Sequence, residues 1–143
     1  MKTIANDKNI DLILQQVFKS EGGYINDVND PGGETNFGIS KRYHPNEDIA
    51  NLTKERAKEI YINEYILPIY DSIKNYLLNY QYQVIDTAIN CGLSRAKQFN
   101  KTALGDIEII KELRTAFYKK IAVNGKEKFL KGWLNRVNII IYN

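Results

Sequence analysis

Apolar residues along much of this chain recur every three or four positions, the spacing of one face of a helix. The first such set is Ile10, Ile13, Leu14, Val17 and Phe18. Asn6 or Asp7 can cap the start of this helix, and Gly22-Gly23 supplies the left-handed exit that is common at helix ends. The pattern therefore predicts a first helix that ends just before position 22.

The helical pattern stops at this point and returns only after position 50. The stretch SEGGYINDVNDPGGETNFGIS, residues 20–40, holds five of the nine glycines in the chain. Near its end Thr35, Phe37 and Ile39 alternate with polar or small neighbours, which is typical of a short strand. We therefore expect a glycine-rich loop or a small β-hairpin after the first helix.

The rest of the chain again shows helical spacing. Thr53 can cap a helix that reaches about Tyr65, and a second helix ends at Gly92. A third helix is predicted from its apolar residues, which are Ile107, Ile110, Leu113, Phe117 and Ile121, and a last one runs from about 126 through 137. No repeat or linker divides the chain. We predict one mainly α domain over 1–143, in which 1–70 contains the glycine-rich stretch and 71–143 is helical; the candidate catalytic residues considered below all fall in 1–70.

Composition excludes several kinds of site. The 143 residues include one cysteine and one histidine, so the chain can form neither an internal disulfide nor a cysteine-based metal cluster. Cys91 lies on an apolar helix face and is interpreted as an inert core thiol. His44 stands in a loop-like stretch and is interpreted as a solvated histidine. We expect no metal and no organic cofactor.

The N-terminal residues and the hydropathy bear on location. The start of the chain lacks the basic segment and uninterrupted apolar run of a signal peptide, and no window approaches the ~18 apolar residues of a membrane span. We therefore expect synthesis in the cytoplasm without a signal peptide, and no membrane span. Any action outside the cell would need another route.

Charge is distributed unevenly between the two halves. Residues 1–71 carry a net charge of −4 and residues 72–143 carry +7. A basic half favours attraction to a polyanion such as nucleic acid, anionic lipid or an anionic bacterial wall, although its lysines can equally serve to solvate helices. No nucleic-acid recognition motif accompanies the charge, so we do not expect nucleic-acid binding.

Glu21 is the first candidate catalytic residue. It continues the apolar face of the first helix, four residues after Val17, so its carboxyl is expected to turn toward the core. The helix C-terminus also disfavours a second negative charge. Both effects raise the pKa of a carboxyl, and a carboxyl that keeps its proton can act as a general acid. A solvated position at a frayed helix end is the competing interpretation.

Asp30 and Thr35 follow in the glycine-rich stretch. Asp30 lies in a proline-glycine turn with little apolar cover and is expected to stay ionised. Two carboxyls whose surroundings move their pKa values apart are typical of glycoside hydrolysis, in which one protonates the leaving oxygen and the other activates water or stabilises the developing charge. Asp-Pro-Gly is also a common turn sequence, so spacing alone makes this acid pair only plausible.

Three stretches of the chain resemble glycoside hydrolase family 108. They are EGGYINDVNDPGGETNFGIS, VIDTAINCGLSRAKQF and FLKGWLNRV. The family comprises bacterial and phage N-acetylmuramidases with a lysozyme-like fold, so the resemblance implies that fold here. It also implies that Glu21 is the catalytic acid, and that Asp30 and Thr35 hold the attacking water. The chain departs from the family in lacking a common Tyr-Trp pair and in a shortened peptidoglycan-binding region near Ala103.

The resemblance and the aromatic content together suggest residues that contact substrate. These candidates are Tyr24, Asn36, Phe37, Tyr61, Tyr65, Asp86 and Asn90. Tyr61 or Tyr65 can replace the missing tryptophan as a sugar platform. Asp86 and Asn90 can either line the sugar cleft or form a buried polar tether between helices. Trp133 is interpreted as a core residue rather than a sugar contact.

The leading functional expectation is a muramidase that cleaves the β-1,4 bond between N-acetylmuramic acid and N-acetylglucosamine in peptidoglycan. Its partners would be glycan strands and a holin or secretion system that releases it to the wall. One alternative is a lytic transglycosylase, which uses one glutamate and releases an anhydro-sugar. A second alternative is an inactive wall-binding or secretion-assisting module.

Overall fold

The computed structural model describes residues 3–29 and 33–143. The helices are α1 (Lys8–Glu21), α2 (Lys54–Tyr61), α3 (Tyr70–Ile73), α4 (Leu78–Cys91), α5 (Leu93–Ala103), α6 (Ile107–Ile121) and α7 (Leu130–Val137). Single turns of 3₁₀ helix cover Ile4–Asn6 and Glu127–Phe129, and Ile62–Ile66 continues α2 as a π-helical segment. The strands are β1 (Ile25–Asn26), β2 (Glu34–Asn36) and β3 (Ile39–Ser40).

The predicted bounds of α1 are confirmed. The side chain of Asp7 caps the helix by accepting a hydrogen bond from the Asn9 amide at 3.0 Å. Gly22 ends it with φ of 77°, a left-handed conformation that suits glycine. The five predicted apolar positions of this helix are all buried. Glu21 is thereby placed at the last position of a well-anchored helix.

The strands form a small antiparallel sheet in the order β1-β2-β3. Thr35 pairs with Ser40 and Asn36 with Ile39, so Phe37 and Gly38 form a two-residue turn. Both have positive φ, 54° and 79°, as a type I′ hairpin turn requires. The hairpin alternative is therefore the correct one, and the turn interrupts the alternating pattern at Phe37.

Helix α4 forms the centre of the helical part and packs against α1, α5 and α6. Every residue from 80 through 88 is buried, including four polar ones. The apolar face on which Cys91 was predicted to lie accounts for only part of this burial. The polar residues Gln81, Gln83 and Asp86 are buried because they bond to other helices, and local spacing does not show these contacts.

The buried face of α6 also differs from the prediction. Its buried residues are Ile110, Arg114 and Tyr118, whereas Leu113 and Phe117 are half-buried. The reason is that Arg114 is paired inside the protein with an acid from α4. Counting only apolar residues therefore selected a neighbouring stripe of the helix.

Within the described residues, no helix combines the length and apolarity that crossing a bilayer requires.

Candidate active site

Glu21 is the last residue of α1, and its side chain lies next to the hairpin turn and α7. Its side chain is 20% exposed, and its Oε1 atom is 2.7 Å from Nη1 of Arg136. The carboxyl is therefore mostly buried, as the helical spacing predicted. The cation beside it was not predicted, because Arg136 lies far along the chain and reaches Glu21 only through the tertiary fold.

The hairpin turn approaches Glu21 closely. A Cβ atom added at Gly38 would lie 2.7 Å from Cγ and 2.8 Å from Cβ of Glu21, and 2.6 Å from the hydroxyl oxygen of Tyr61. That hydroxyl donates a hydrogen bond to the carbonyl of Phe37. Burial, together with the negative charge of Glu21, raises the pKa of Tyr61, which therefore stays a neutral donor. The hydrogen bond from Tyr61 thus fixes the hairpin turn, and Gly38 of that turn lies close against the side chain of Glu21.

If Glu21 has the catalytic role that the family resemblance implies, replacing Gly38 with alanine should reduce glycan cleavage about tenfold or more. The same substitution should destabilise the fold by about 1–3 kcal/mol. The added methyl group would displace the carboxyl of Glu21 and would strain a backbone with φ of 79°. A turbidity assay on purified sacculi and urea unfolding measure the two effects.

Gly125→Ala is the matched control for this substitution. Gly125 has φ of 89° but no neighbouring atom within 4 Å of an added Cβ, so it carries the backbone strain without the clash. This control should lose stability and keep its specific activity. Equal activity of the two variants would show that the close approach of Gly38 to Glu21 does not matter.

Arg136 joins Glu21 to a buried ion-pair network. Asp86 Oδ1 is 2.6 Å from Nη2 of Arg136, and its Oδ2 is 2.6 Å from Nη2 of Arg114. The side chains of Asp86 and Arg114 have no exposed surface. Burial acts to raise the pKa of Asp86, but the hydrogen bond from Arg136 and the charges of both arginines outweigh it and hold that pKa below its ordinary value. Asp86 is therefore an ionised anchor for the arginine that contacts Glu21.

The network continues away from Glu21 through α4 and α6. Arg114 donates to the side-chain oxygen of Gln83 at 2.6 Å and to the hydroxyl of Tyr118 at 3.1 Å. That hydroxyl donates to Oδ1 of Asn90 at 2.7 Å. Of the two roles considered for Asp86 and Asn90, the structure places Asp86 in a buried polar tether between helices, whereas Asn90 joins the same network but is exposed and also lines a surface cavity. Asp86 is fully buried and cannot touch a sugar in this conformation.

The remaining predicted contact residues occupy different environments. Asn36 is buried and donates to the carbonyl of Ile49 at 3.0 Å, and Tyr61 is buried as well. Phe37 packs edge-on against Phe18 with 5.3 Å between ring centroids. These side chains shape the hairpin and its contact with α1. In this conformation Asn36 and Tyr61 are buried in the packing around the hairpin and offer almost no surface to a sugar.

Other predicted residues lie nearer the surface. Tyr24 is 46% exposed, and its hydroxyl donates to Glu34 at 2.7 Å, which raises the pKa of Tyr24. Tyr65 is half-buried and packs against Tyr61 at 6.0 Å between ring centroids. Thr35 lies on the middle strand, paired with Ile25 and Ser40. Tyr24 and Tyr65 are therefore the predicted aromatic residues best placed to meet a ligand.

Asp30 falls within 30–32, outside the described residues, so its predicted role stays a prediction.

The interpretation of His44 as a solvated histidine is wrong. Its ring is 16% exposed, with Nε2 at 3.0 Å from Glu64 and Nδ1 at 3.3 Å from the carbonyl of Ser40. Cys91 is half-buried, and burial raises the pKa of its thiol, which makes it a poor nucleophile. Across residues 3–29 and 33–143, no group of three or more His, Cys, Asp or Glu residues is arranged to hold a metal ion.

A cavity of about 490 Å³ opens on the Arg136 side of Glu21. Its lining includes Ser20 from α1, Asn90 from α4, and Lys128, Trp133 and Arg136 from the C-terminal region. Trp133 is half-buried and stacks on Tyr118 with 5.4 Å between ring centroids. It therefore serves both as a packing residue and as a wall of the cavity, which the interpretation as core captured only in part.

Two comparisons with known proteins bear on the family and the fold of the chain. The family model for glycosyl hydrolase 108 matches residues 14–92, which is more than half of the chain and includes Glu21 and the hairpin. The chain therefore belongs to the glycosyl hydrolase 108 family, a class of glycosidases. This confirms the resemblance seen in the sequence.

A solved structure supports the fold over almost the whole chain. SagA of Brucella abortus is similar with a TM-score of 0.71 and 25% sequence identity, over 91% of this chain and 90% of that one. The predicted mainly α, lysozyme-like fold is confirmed by this similarity. No curated protein matches the chain.

Proposed function

We propose that the protein is an N-acetylmuramidase that hydrolyses the β-1,4 bond between N-acetylmuramic acid and N-acetylglucosamine in peptidoglycan, with Glu21 as the general acid. The observation that carries this proposal is the position of Glu21 in a member of a glycosidase family. Its side chain is mostly buried, Arg136 contacts its Oε1 atom, and Gly38 leaves no room for a Cβ atom beside its Cβ and Cγ atoms. An acid whose side chain is held in place and still partly accessible can transfer a proton to a bound glycan.

The ion pair with Arg136 is compatible with acid catalysis. Arg136 contacts Oε1 of Glu21, so a proton can reside on the second carboxyl oxygen while Oε1 still accepts a hydrogen bond. Arg136 itself is held by Asp86, at 2.6 Å between Nη2 and Oδ1, independently of its contact with Glu21. In the proposed step the proton passes from Glu21 to the glycosidic oxygen as the bond from that oxygen to C1 of muramic acid breaks.

Water completes the proposed reaction. It attacks C1 from the face opposite the leaving sugar and gives its proton to a base, while its oxygen becomes the new reducing-end hydroxyl. By family resemblance we assign Asp30 as the base and Thr35 as a residue that positions the water. The place of Thr35 on the middle strand of the hairpin that contacts Glu21 supports its inclusion.

The proposed substrate implies where the protein acts. Peptidoglycan lies outside the cytoplasmic membrane, so a chain synthesised in the cytoplasm has to be released to it. We propose that a holin or a secretion system provides that release. The net charge of +7 over residues 72–143 would then favour approach to an anionic wall.

Mass spectrometry of digested peptidoglycan tests the proposed reaction. Hydrolysis predicts fragments that end in reducing N-acetylmuramic acid. A product lighter by one water would indicate a lytic transglycosylase instead, and an undigested wall would indicate a binding module. If Glu21 is the general acid, digestion by the wild type and by Glu55→Gln should give the same fragments with reducing ends. Glu55→Gln is the control because it changes a surface glutamate on α2.

A further inference from the structure

We propose that the cavity beside Arg136 binds the carboxylate-bearing peptide stem of peptidoglycan, so that the enzyme selects glycan strands that carry peptides. This inference rests on the proposed function, because it assigns a second part of the same substrate. It concerns the cavity rather than the catalytic carboxyl. The cavity has a volume of about 490 Å³, within the range of small-ligand sites, so it can accommodate part of a short peptide.

The chemistry of the lining fits an acidic ligand that contains amide groups. Lys128 contributes positive charge, and none of the described residues that line the cavity carries a carboxylate. Arg136 also lines the cavity, but it already pairs with Asp86 and Glu21. Asn90, Asn135 and Ser20 add neutral hydrogen-bonding groups. Neutral sugars need no unpaired cation, whereas a peptide stem offers both amides and carboxylates. The lining therefore favours the peptide over the glycan as the occupant.

The aromatic wall gives the cavity a defined shape. Trp133 is fixed on one side by stacking against Tyr118 and on the other by Phe129, at 5.8 Å between ring centroids. Nζ of Lys128 lies 5.2 Å from the centroid of the Phe129 ring. A cation–π contact of this kind holds the ammonium group near the cavity without neutralising its charge. Lys128 can therefore pair with a ligand carboxylate.

The position of the cavity relative to Glu21 fits the covalent structure of peptidoglycan. Ser20 precedes Glu21 in the chain, and Arg136 contacts both the cavity and Oε1 of Glu21. The peptide stem is attached to the muramic sugar whose C1 would be attacked. A stem held in this cavity would therefore place that sugar next to the general acid. Binding of the stem would orient the bond to be cleaved as well as adding affinity.

A binding measurement tests this inference without using catalysis. Trp133 is the only tryptophan in the chain, so its fluorescence reports directly on the cavity. The probe is N-acetylmuramyl-L-alanyl-D-glutamate, and the same compound with amidated carboxyl groups is its neutral counterpart. We expect a saturable fluorescence change with the acidic probe and binding about tenfold weaker with the neutral one.

Charge reversal at Lys128 locates the effect. Lys128→Glu should weaken binding of the acidic probe about tenfold or more and leave the neutral probe unaffected. Lys97→Glu is the matched control, since it removes the same charge from α5 at a different cavity. The inference is overturned if the acidic probe gives no saturable change, if both probes bind equally, or if the two lysine variants behave alike.

Cleavage assays separate this inference from the proposed function. The wild type should cleave intact peptidoglycan at least tenfold faster, in kcat/KM, than the same glycan stripped of its peptides by an amidase. Cleavage of both substrates at equal rates would overturn stem recognition and leave the muramidase proposal standing. Acidic-probe binding by a protein that cleaves neither substrate would support the cavity assignment and contradict the muramidase.

Discussion

Glu21→Gln is expected to slow the cleavage of peptidoglycan by a factor of about 10²–10⁴ while leaving the fold intact. Glutamine keeps the size of the side chain and can still accept the hydrogen bond from Arg136, but it has no acidic proton to give. Loss of turbidity of purified sacculi, followed at equal enzyme concentrations, measures the rate. Thermal unfolding of both proteins shows whether the substitution has changed anything besides chemistry.

The glutamate at position 55 provides the control for this experiment. Glu55 lies exposed in the first turn of α2, so Glu55→Gln makes the same chemical change away from the site and should keep the wild-type rate. If Glu21→Gln and Glu55→Gln clear sacculi equally fast, Glu21 is not the general acid. If both variants kept the wild-type rate, position 21 would also lack the catalytic role that the family resemblance implies for it.

Asp86→Asn should destabilise the protein by about 3–5 kcal/mol, the largest stability effect expected from one polar substitution in this chain. Asp86 is the carboxylate between Arg114 and Arg136, and it accepts hydrogen bonds from both. Asparagine would leave two buried or mostly buried guanidinium groups with less compensating charge. Urea unfolding, with the free energy extrapolated to water, measures the loss.

Activity of Asp86→Asn should fall further than its loss of stability explains. Arg136 would lose its ion pair with Asp86, so its contact with Glu21 would lose its fixed geometry. The rate is to be compared at a temperature where both proteins remain folded. Such a loss would identify Asp86 as a residue that positions the acid through Arg136, rather than one that touches substrate.

Asp71→Asn is the stability control for the buried pair. Asp71 also pairs with a cation, since it lies 3.1 Å from Nζ of Lys74, but its side chain is 91% exposed. Exposed pairs of this kind contribute about 0–1 kcal/mol. Similar losses in Asp71→Asn and Asp86→Asn would contradict the claim that the buried network holds the site together.

Local sequence signals predicted the part of the site that local structure builds. Helix α1, its cap at Asp7 and its end at Gly22 follow from spacing and cap chemistry, which act over a few residues. Glu21 could be placed on the core side of that helix for the same reason. The hairpin was foreseen as one of two options, but the turn at Phe37 was not, because aromatic residues seldom adopt positive φ.

The residues that sequence reasoning missed all depend on distant contacts. Arg114 is fully buried and Arg136 mostly buried because both pair with Asp86 from α4, and no residue close to Arg136 in the chain indicates this. A signal for Arg114 did exist, since it lies four residues from both Ile110 and Tyr118 on one helix face. His44 was misjudged in the same way, because its partner Glu64 lies beyond the hairpin on the π-helical segment.

A crystal structure of the Glu21→Gln variant with a bound peptidoglycan fragment tests the central claim most directly. The account predicts that the amide at position 21 lies within about 2.6–3.2 Å of the oxygen that joins muramic acid to N-acetylglucosamine. A fragment bound elsewhere, with that glycosidic oxygen beyond hydrogen-bonding reach of position 21, would contradict it.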